Sequence, residues 1–242
     1  ADLSDAAKKI STSKIFDNAT SCSSENSLVV VESVYERLID ELKMVGGLIL
    51  NSRETEKLVK VHWANDKLTS NILARDIKNV LNEIDIKVNN NSDIKFLIVP
   101  TEDTSYLNPL SREKMALFLS VFKAKNFEQA TLMAGEIQSK DGIGHSVGLH
   151  SNIDERAKSL AMELKTCRII VNQSHCFATG GFFNNGLPFS LSMGCGSWGG
   201  NSIDDNLNWR HFVNRVKVSR LIPENKPSLE DIFFDYWNIY GR

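Results

Sequence analysis

Ser27-Leu28-Val29-Val30-Val31 is an uninterrupted apolar run rich in β-branched residues. Glu32 to Leu42, directly after it, carries Val34, Leu38, Ile39 and Leu42 on one helical face. A strand apolar on both faces, followed at once by an amphipathic helix, reads as one unit of a parallel sheet covered by helices. The rhythm continues outward. A helical pattern over Asn71 to Glu83 precedes a strand at Phe96 to Val99, and a further strand is expected over Ala116 to Phe122. Asn126 then caps a helix running to about Ile137, with Gln129 at its third position. Strand-like Ser146 to His150, helical Asn152 to Lys165 and strand-like Arg168 to Asn172 complete the alternation, which defines an α/β class. Asn89-Asn90-Asn91-Ser92 reads as a surface turn. Glycine, asparagine and serine dominate from Thr179 to Ser202 and exclude a helix there, and Pro227-Ser228-Leu229-Glu230-Asp231 opens a last helix ending in aromatic residues.

The 242 residues suffice for one large domain or two modest ones. They are 42% hydrophobic and 24% charged, with a formal net charge of -2. That balance supplies an ordinary core and no basic surface for nucleic acid. No apolar run reaches the ~18 to 20 residues of a membrane span, and no basic segment followed by an apolar one opens the chain. A cytoplasmic protein without a membrane partner is expected. Ala1-Asp2-Leu3-Ser4-Asp5 lacks an initiator methionine and enters a helical pattern at once, which points to a processed chain or a fragment. The cysteines Cys22, Cys167, Cys176 and Cys195 form no Cys-x-x-Cys pair, and the five histidines are scattered. Free thiols and no metal site are expected.

Three segments carry chemistry. Cys22 sits in Asp17-Asn18-Ala19-Thr20-Ser21-Cys22-Ser23-Ser24-Glu25-Asn26, among small polar residues and just before a strand. A thiol there is reachable, and nearby backbone N–H groups can stabilise a thiolate and later an oxyanion; a lone cysteine is otherwise an inert small hydrophobe. Gly194-Cys195-Gly196-Ser197-Trp198-Gly199-Gly200-Asn201-Ser202 either approaches a ligand closely or is an irregular surface loop. It matches no phosphate-loop pattern. His145 lies in Gly142-Ile143-Gly144-His145-Ser146, between a glycine turn and a strand. Active-site groups project from such positions, and a hydrogen-bonded structural histidine fits equally well.

Together these segments resemble the acylating, CoA-dependent branch of the aldehyde dehydrogenase superfamily. Phe16-Asp17-Asn18 through Cys22-Ser23-Ser24-Glu25-Asn26 resembles its catalytic-cysteine segment, and the 194–202 loop its glycine-rich signature. Leu110-Ser111-Arg112-Glu113-Lys114-Met115 falls where the wider superfamily has Glu-x-Phe-Gly-Pro. Lys123 to Ala130 follows at the expected interval, and Arg168-Ile169-Ile170-Val171-Asn172 resembles the late core strand. The match is collinear from about residue 1 to about 215 and covers the catalytic region. The family's nucleotide-binding βαβ unit has no counterpart before Cys22. Glu113 lacks the Phe-Gly-Pro found in hydrolytic relatives, a lapse the acylating members share.

The resemblance implies a catalytic domain over 1–205, with a mostly parallel open sheet and helices on both faces. Residues 206–242 would supply oligomer contacts and a tail helix in a homo-oligomer. It implies oxidation of a small aldehyde to an acyl-CoA, with NAD or NADP held mainly by the absent half and coenzyme A as co-substrate. Cys22 would be the nucleophile, its backbone N–H a partner of the oxyanion, and His145 an acid/base or thiol-activating group. Glu113 would contact the nicotinamide ribose, and Gly194, Gly196, Ser197, Gly199 and Asn201 would border the substrate and CoA channel. Cys167, Cys176 and Cys195 would be structural. From Asn208 onward the tail is more similar to monofunctional members acting on a small anionic aldehyde such as sulfoacetaldehyde, with Arg210 or Arg215 available to a sulfonate. By itself the chain would be inactive in oxidation. A CoA-independent dehydrogenase releasing the free acid, and an inactive scaffold, are the competing readings.

Overall fold

A computed structural model describes residues 1–89 and 93–242, so Asn90 to Ser92 of the expected turn lie outside the described residues. Helix α1 (Leu3–Ile15) is capped by the Asp2 side chain, which accepts from the Asp5 N–H at 3.1 Å. Strand β1 (Ser27–Val31) and helix α2 (Tyr35–Met44) follow, with a short 3₁₀ turn at Glu32–Val34 in place of the helix's expected first turn. Strand β2 (Gly47–Ile49) leads into α3 (Ser52–His62), opened by a reciprocal capping box between Asn51 and Glu54. The two-residue strands β3 (Trp63–Ala64) and β4 (Lys67–Leu68) form a hairpin. Its turn residues Asn65 and Asp66 both have positive φ, as a mirror-image turn requires.

Then come α4 (Ile77–Glu83), β5 (Phe96–Pro100), β6 (Phe118–Ala124) and α5 (Phe127–Asp141), with Asn126 capping α5 through the Gln129 N–H at 2.9 Å. Strand β7 (Val147–Leu149), α6 (Glu155–Glu163), β8 (Ile169–Val171) and the single turn α7 (His175–Ala178) complete the first body. The helix expected over Asn71 to Glu83 is shorter than its periodicity suggests. Ala74 adopts φ +56° and donates its N–H to the Met115 carbonyl, so residues 71–74 are turns and α4 starts after Asp76. The helix over Asn152 to Lys165 is likewise trimmed to α6.

Four strands form one parallel sheet in the order β1-β6-β5-β2. Successive side chains point to opposite faces, so each central strand feeds two cores. Phe96, Ile98, Leu119 and Val121 pack with Ala7 and Ile10 of α1 and Leu38, Ile39 and Leu42 of α2. Leu97, Val99 and Phe118 pack on the other side with Leu58 of α3 and Val80 and Leu81 of α4. The fold is thus a mostly parallel α/β sheet with helices on both faces. The remaining parallel strands, β7 and β8, form a separate pair in the register Val147↔Ile169 to Leu149↔Val171. Between β1 and β7 lies a cavity of ≈ 460 Å³ lined by both strands, α1 and α5.

The chain divides into two units, 1–208 and 209–242. The second holds α8 (Leu229–Tyr240), opened by a capping box between Ser228 and Asp231. Arg210 and Arg215 belong to this unit. Among the described residues, no helix is long and apolar enough to cross a membrane.

Candidate active site

Cys22 follows a turn that the sequence does not advertise. Asp17, Asn18 and Ala19 all have positive φ, at 48°, 51° and 61°. Asp and Asn tolerate this region because their side chains hydrogen-bond locally. Here Asp17 accepts from the Thr20 hydroxyl at 2.7 Å, and Asn18 donates to Asp76 at 3.1 Å. Ala19 has no such compensation and is instead locked in the core, 1% exposed. The turn lifts the next residues out of the core, and a Ser24 N–H to Ser21 carbonyl bond of 2.9 Å folds the chain around Cys22. The Cys22 side chain is exposed, as expected for a reachable thiol.

The structure brings His145 to this thiol, with Nε2 3.3 Å from Cys22 Sγ. On the other side of the ring Nδ1 lies 2.7 Å from Ser146 Oγ. With the ring proton on Nδ1 donating to the serine, the Nε2 lone pair faces the thiol. Burial first, and the Arg168 guanidinium second, hold His145 below the usual imidazole range. A neutral imidazole facing a thiol can accept its proton.

Glu113 lies farther along the same cavity and also lines a second one of ≈ 280 Å³ with Trp63, Asp66, Arg112 and Asp141. Burial and the nearby Asp141 carboxylate push the Glu113 carboxyl up. Carboxylates grouped in a polar recess accept the hydrogen bonds that ribose hydroxyls donate, so these residues fit a nucleotide sugar.

Gly194, Gly196, Ser197, Gly199 and Asn201 do not line the cavity that holds Cys22. Gly194 and Gly199 answer to close packing instead. A Cβ on Gly194 would collide with the Ile203 carbonyl oxygen, and one on Gly199 with Cys195. Asn201 accepts the Cys195 N–H at 2.8 Å and closes the turn. The loop packs behind the glycine turn that carries His145.

Beneath Cys22 the structure assembles a polar cluster that sequence reading missed. Lys14 is fully buried and donates to the Glu25 carbonyl at 2.9 Å. Burial pulls its amine down to about 7 and pushes the neighbouring Glu25 carboxyl up to about 7. His175 donates from Nδ1 to the Ser23 carbonyl at 2.9 Å and holds the cysteine loop from below. One signal was present: Lys14 continues the α1 stripe of Ala6, Ala7 and Ile10, so helical spacing alone turns it inward. Among the described residues no group of three or more His, Cys, Asp or Glu is arranged to hold a metal.

The buried histidines make an acid response predictable. Desolvation lowers His62 and His175 to about 4, from 6.5. A depressed histidine stabilises the fold fully above its unfolded value, and that stability is lost as pH falls from about 6.5 towards 4. Each contributes about 3 kcal/mol. Glu25 runs the other way, gaining stability as pH falls from about 7, and offsets one histidine but not two. Urea unfolding should therefore give a lower midpoint at pH 4.5 than at pH 7.5, and His175→Gln should flatten the difference. Equal midpoints in the wild-type chain would show that these histidines are not buried as neutral groups.

The first body is thus a parallel α/β domain that presents an exposed cysteine to a neutral histidine. No protein-family profile matches the chain. It is 42% identical over 242 residues, 100% of its length, to a sulfoacetaldehyde dehydrogenase (acylating) of Cupriavidus necator, covering 49% of that protein. It is 33% identical over 224 residues to a bifunctional aldehyde-alcohol dehydrogenase of Escherichia coli, covering 91% of this chain and 25% of that one. An acetylating aldehyde dehydrogenase from Geobacillus thermoglucosidasius superimposes with a TM-score of 0.83 at 29% identity, over 93% of this chain and 50% of its own. Over the half of their length that it spans, the chain is similar in sequence and fold to acylating aldehyde dehydrogenases. It spans about half the length of the first curated relatives it matches.

Proposed function

We propose that this chain is the catalytic-cysteine half of an enzyme that oxidises a small aldehyde to an acyl-CoA. The contact between Cys22 Sγ and His145 Nε2 at 3.3 Å carries the reading. His145 takes the Cys22 proton as the sulfur adds to the aldehyde carbonyl, giving a thiohemiacetal on Cys22. The Cys22 backbone N–H is available to the oxyanion. A nicotinamide nucleotide, when bound, would supply the hydride acceptor, and Glu113 would accept hydrogen bonds from its ribose. Loss of hydride leaves a thioester on Cys22, which the CoA thiol then attacks, regenerating the Cys22 thiol. Covalent capture divides a hard oxidation into two easier steps.

Three relatives, at 42%, 38% and 36% identity, are named sulfoacetaldehyde dehydrogenases. That shared name supports a small anionic aldehyde as the substrate. It also supports CoA, over water, as the acceptor, since two of the three are called acylating.

The test uses the enzyme in which this chain is joined to its nucleotide-binding half. Reduction of NAD and of NADP is followed by near-ultraviolet absorbance with sulfoacetaldehyde and acetaldehyde, with and without CoA. CoA-dependent reduction with sulfoacetaldehyde preferred is the expected result. Equal rates without CoA would make this a hydrolytic dehydrogenase, and equal turnover of the two aldehydes would remove the anionic substrate.

A further inference from the structure

Arg168 stands at the end of β8 next to His145. The parallel register Val147↔Ile169, with a Val147 N–H to Arg168 carbonyl bond of 2.9 Å, sets it one strand away from the Gly144-His145 turn. The residue is 5% exposed, and among the described residues no carboxylate pairs with it in an ion pair. Its guanidinium instead reaches carbonyl and amide oxygens: Nε donates to Asn206 Oδ1 at 2.9 Å, and one terminal nitrogen donates to the Gly194 carbonyl at 2.9 Å and the His145 carbonyl at 3.3 Å. The other terminal nitrogen has no partner in the structure. Asn206 is itself fully buried and donates to the carbonyls of Thr179 and Pro188.

A guanidinium cannot shed its charge, and burying it without a counter-ion costs several kcal/mol. An apolar residue would complete β8 without that cost. The arrangement joins two things that must move together: the turn bearing His145 and the glycine loop packed behind it. The fork geometry suits this, because one planar group bonds two carbonyls and one amide in fixed relative positions.

We infer that Arg168 is a positioning residue that clamps the backbone of His145 and of Gly194 so that the imidazole is held against Cys22. The inference rests on the proposed reading of Cys22 and His145 as nucleophile and base. Among the described residues Arg168 bonds neither the thiol nor the imidazole nitrogens, and it acts through the peptide backbone. The titratable and charged residues that share the His145 cavity are the N-terminal Ala1, Cys22, Glu25, Arg112, Glu113, Asp141, His150, Arg156 and His175, and substitution at 168 leaves their identities unchanged.

The experiment needs only this chain. Alkylation of Cys22 by iodoacetamide is timed by peptide mass spectrometry across pH 5.5 to 9 in wild type, Arg168→Lys, His145→Ala and the double variant, with Cys167, Cys176 and Cys195 as internal references. Lysine keeps the charge and loses the fork. Arg168→Lys is expected to slow Cys22 alkylation about tenfold or more, on the scale of a displaced general base. It should also move the pH profile onto that of His145→Ala and add nothing in the double variant. A wild-type rate in Arg168→Lys, or an equal further loss in the His145→Ala background, would overturn the clamp while leaving the Cys22–His145 pair intact. A wild-type rate in His145→Ala would instead overturn the pair on which the clamp rests. If Arg168→Lys unfolds, seen as all four thiols reacting, Asn206→Ser, which frees the guanidinium Nε together with the Thr179 and Pro188 carbonyls, is judged by the same criteria.

Discussion

Cys22→Ala is expected to lower CoA-dependent aldehyde oxidation by at least about four orders of magnitude, the scale on which loss of a catalytic nucleophile acts. The side chain is exposed, and among the described residues its one hydrogen-bond contact is the His145 ring nitrogen. Removing it opens no cavity in the core and orphans no buried backbone group. Stability should therefore change by no more than about 0.5 kcal/mol, the range of ordinary surface substitutions. Cys22→Ser should be nearly as inactive, because a hydroxyl is a far weaker nucleophile than a thiol at neutral pH. A half-reaction isolates the same step in this chain alone. Acylation of the wild type by p-nitrophenyl acetate should release p-nitrophenol and leave an acetyl thioester at Cys22, which added CoA should remove. Full oxidation activity in the Cys22→Ala enzyme would end the covalent mechanism. Acylation of the chain at another cysteine would relocate it.

Gly144→Ala is expected to cost about 3 to 5 kcal/mol of stability, combining left-handed strain with overpacking. Gly144 has φ +82°, and a Cβ there would run into the Cys195 carbonyl oxygen, a backbone atom that cannot swing aside. The residue is also bonded on both sides, donating to the Lys165 carbonyl at 2.7 Å and accepting the Cys167 N–H at 3.1 Å. Relief of the clash must then shift either the glycine loop or the β7–β8 pair, and either shift carries His145 away from Cys22. Denaturant unfolding and Cys22 alkylation should both respond. A loss below about 1 kcal/mol with unchanged alkylation would show that the 194–202 loop yields freely and does not seat the histidine.

These two variants separate what a sequence reveals from what it hides. Strand β1 is legible to the residue because Ser27 to Val31 lacks alternation and is followed by a helical stripe. β5, β8 and α8 are legible within a residue or two for similar reasons of local pattern and capping. The trimmed start of α4 is not. Its turn depends on a bond from Ala74 to Met115, forty-one residues away, and a propensity argument has no access to that. The division of the sheet between β1 and β7 escapes local reading for the same reason, since strand pairing is a relation between distant segments.

The sequence by itself determined the class of fold, the family resemblance and the identity of the reachable thiol. Each of these rests on short-range patterns: apolar periodicity, a motif of adjacent residues, and a cysteine among small polar neighbours. Only the tertiary structure decided which groups surround that thiol. His145 reaches it across 123 residues of chain, His175 holds its loop from below, and Arg168, which reads in the sequence as one end of a strand, ties the histidine's turn to the glycine loop. Two glycines of that loop, open in sequence to either a ligand or a bare turn, answer to close packing: Gly194 against the Ile203 carbonyl and Gly199 against Cys195 and the Ile143 carbonyl. The reason is physical: hydrogen bonds and close packing act over about 3 to 4 Å, and only the folded chain sets which residues come within that range.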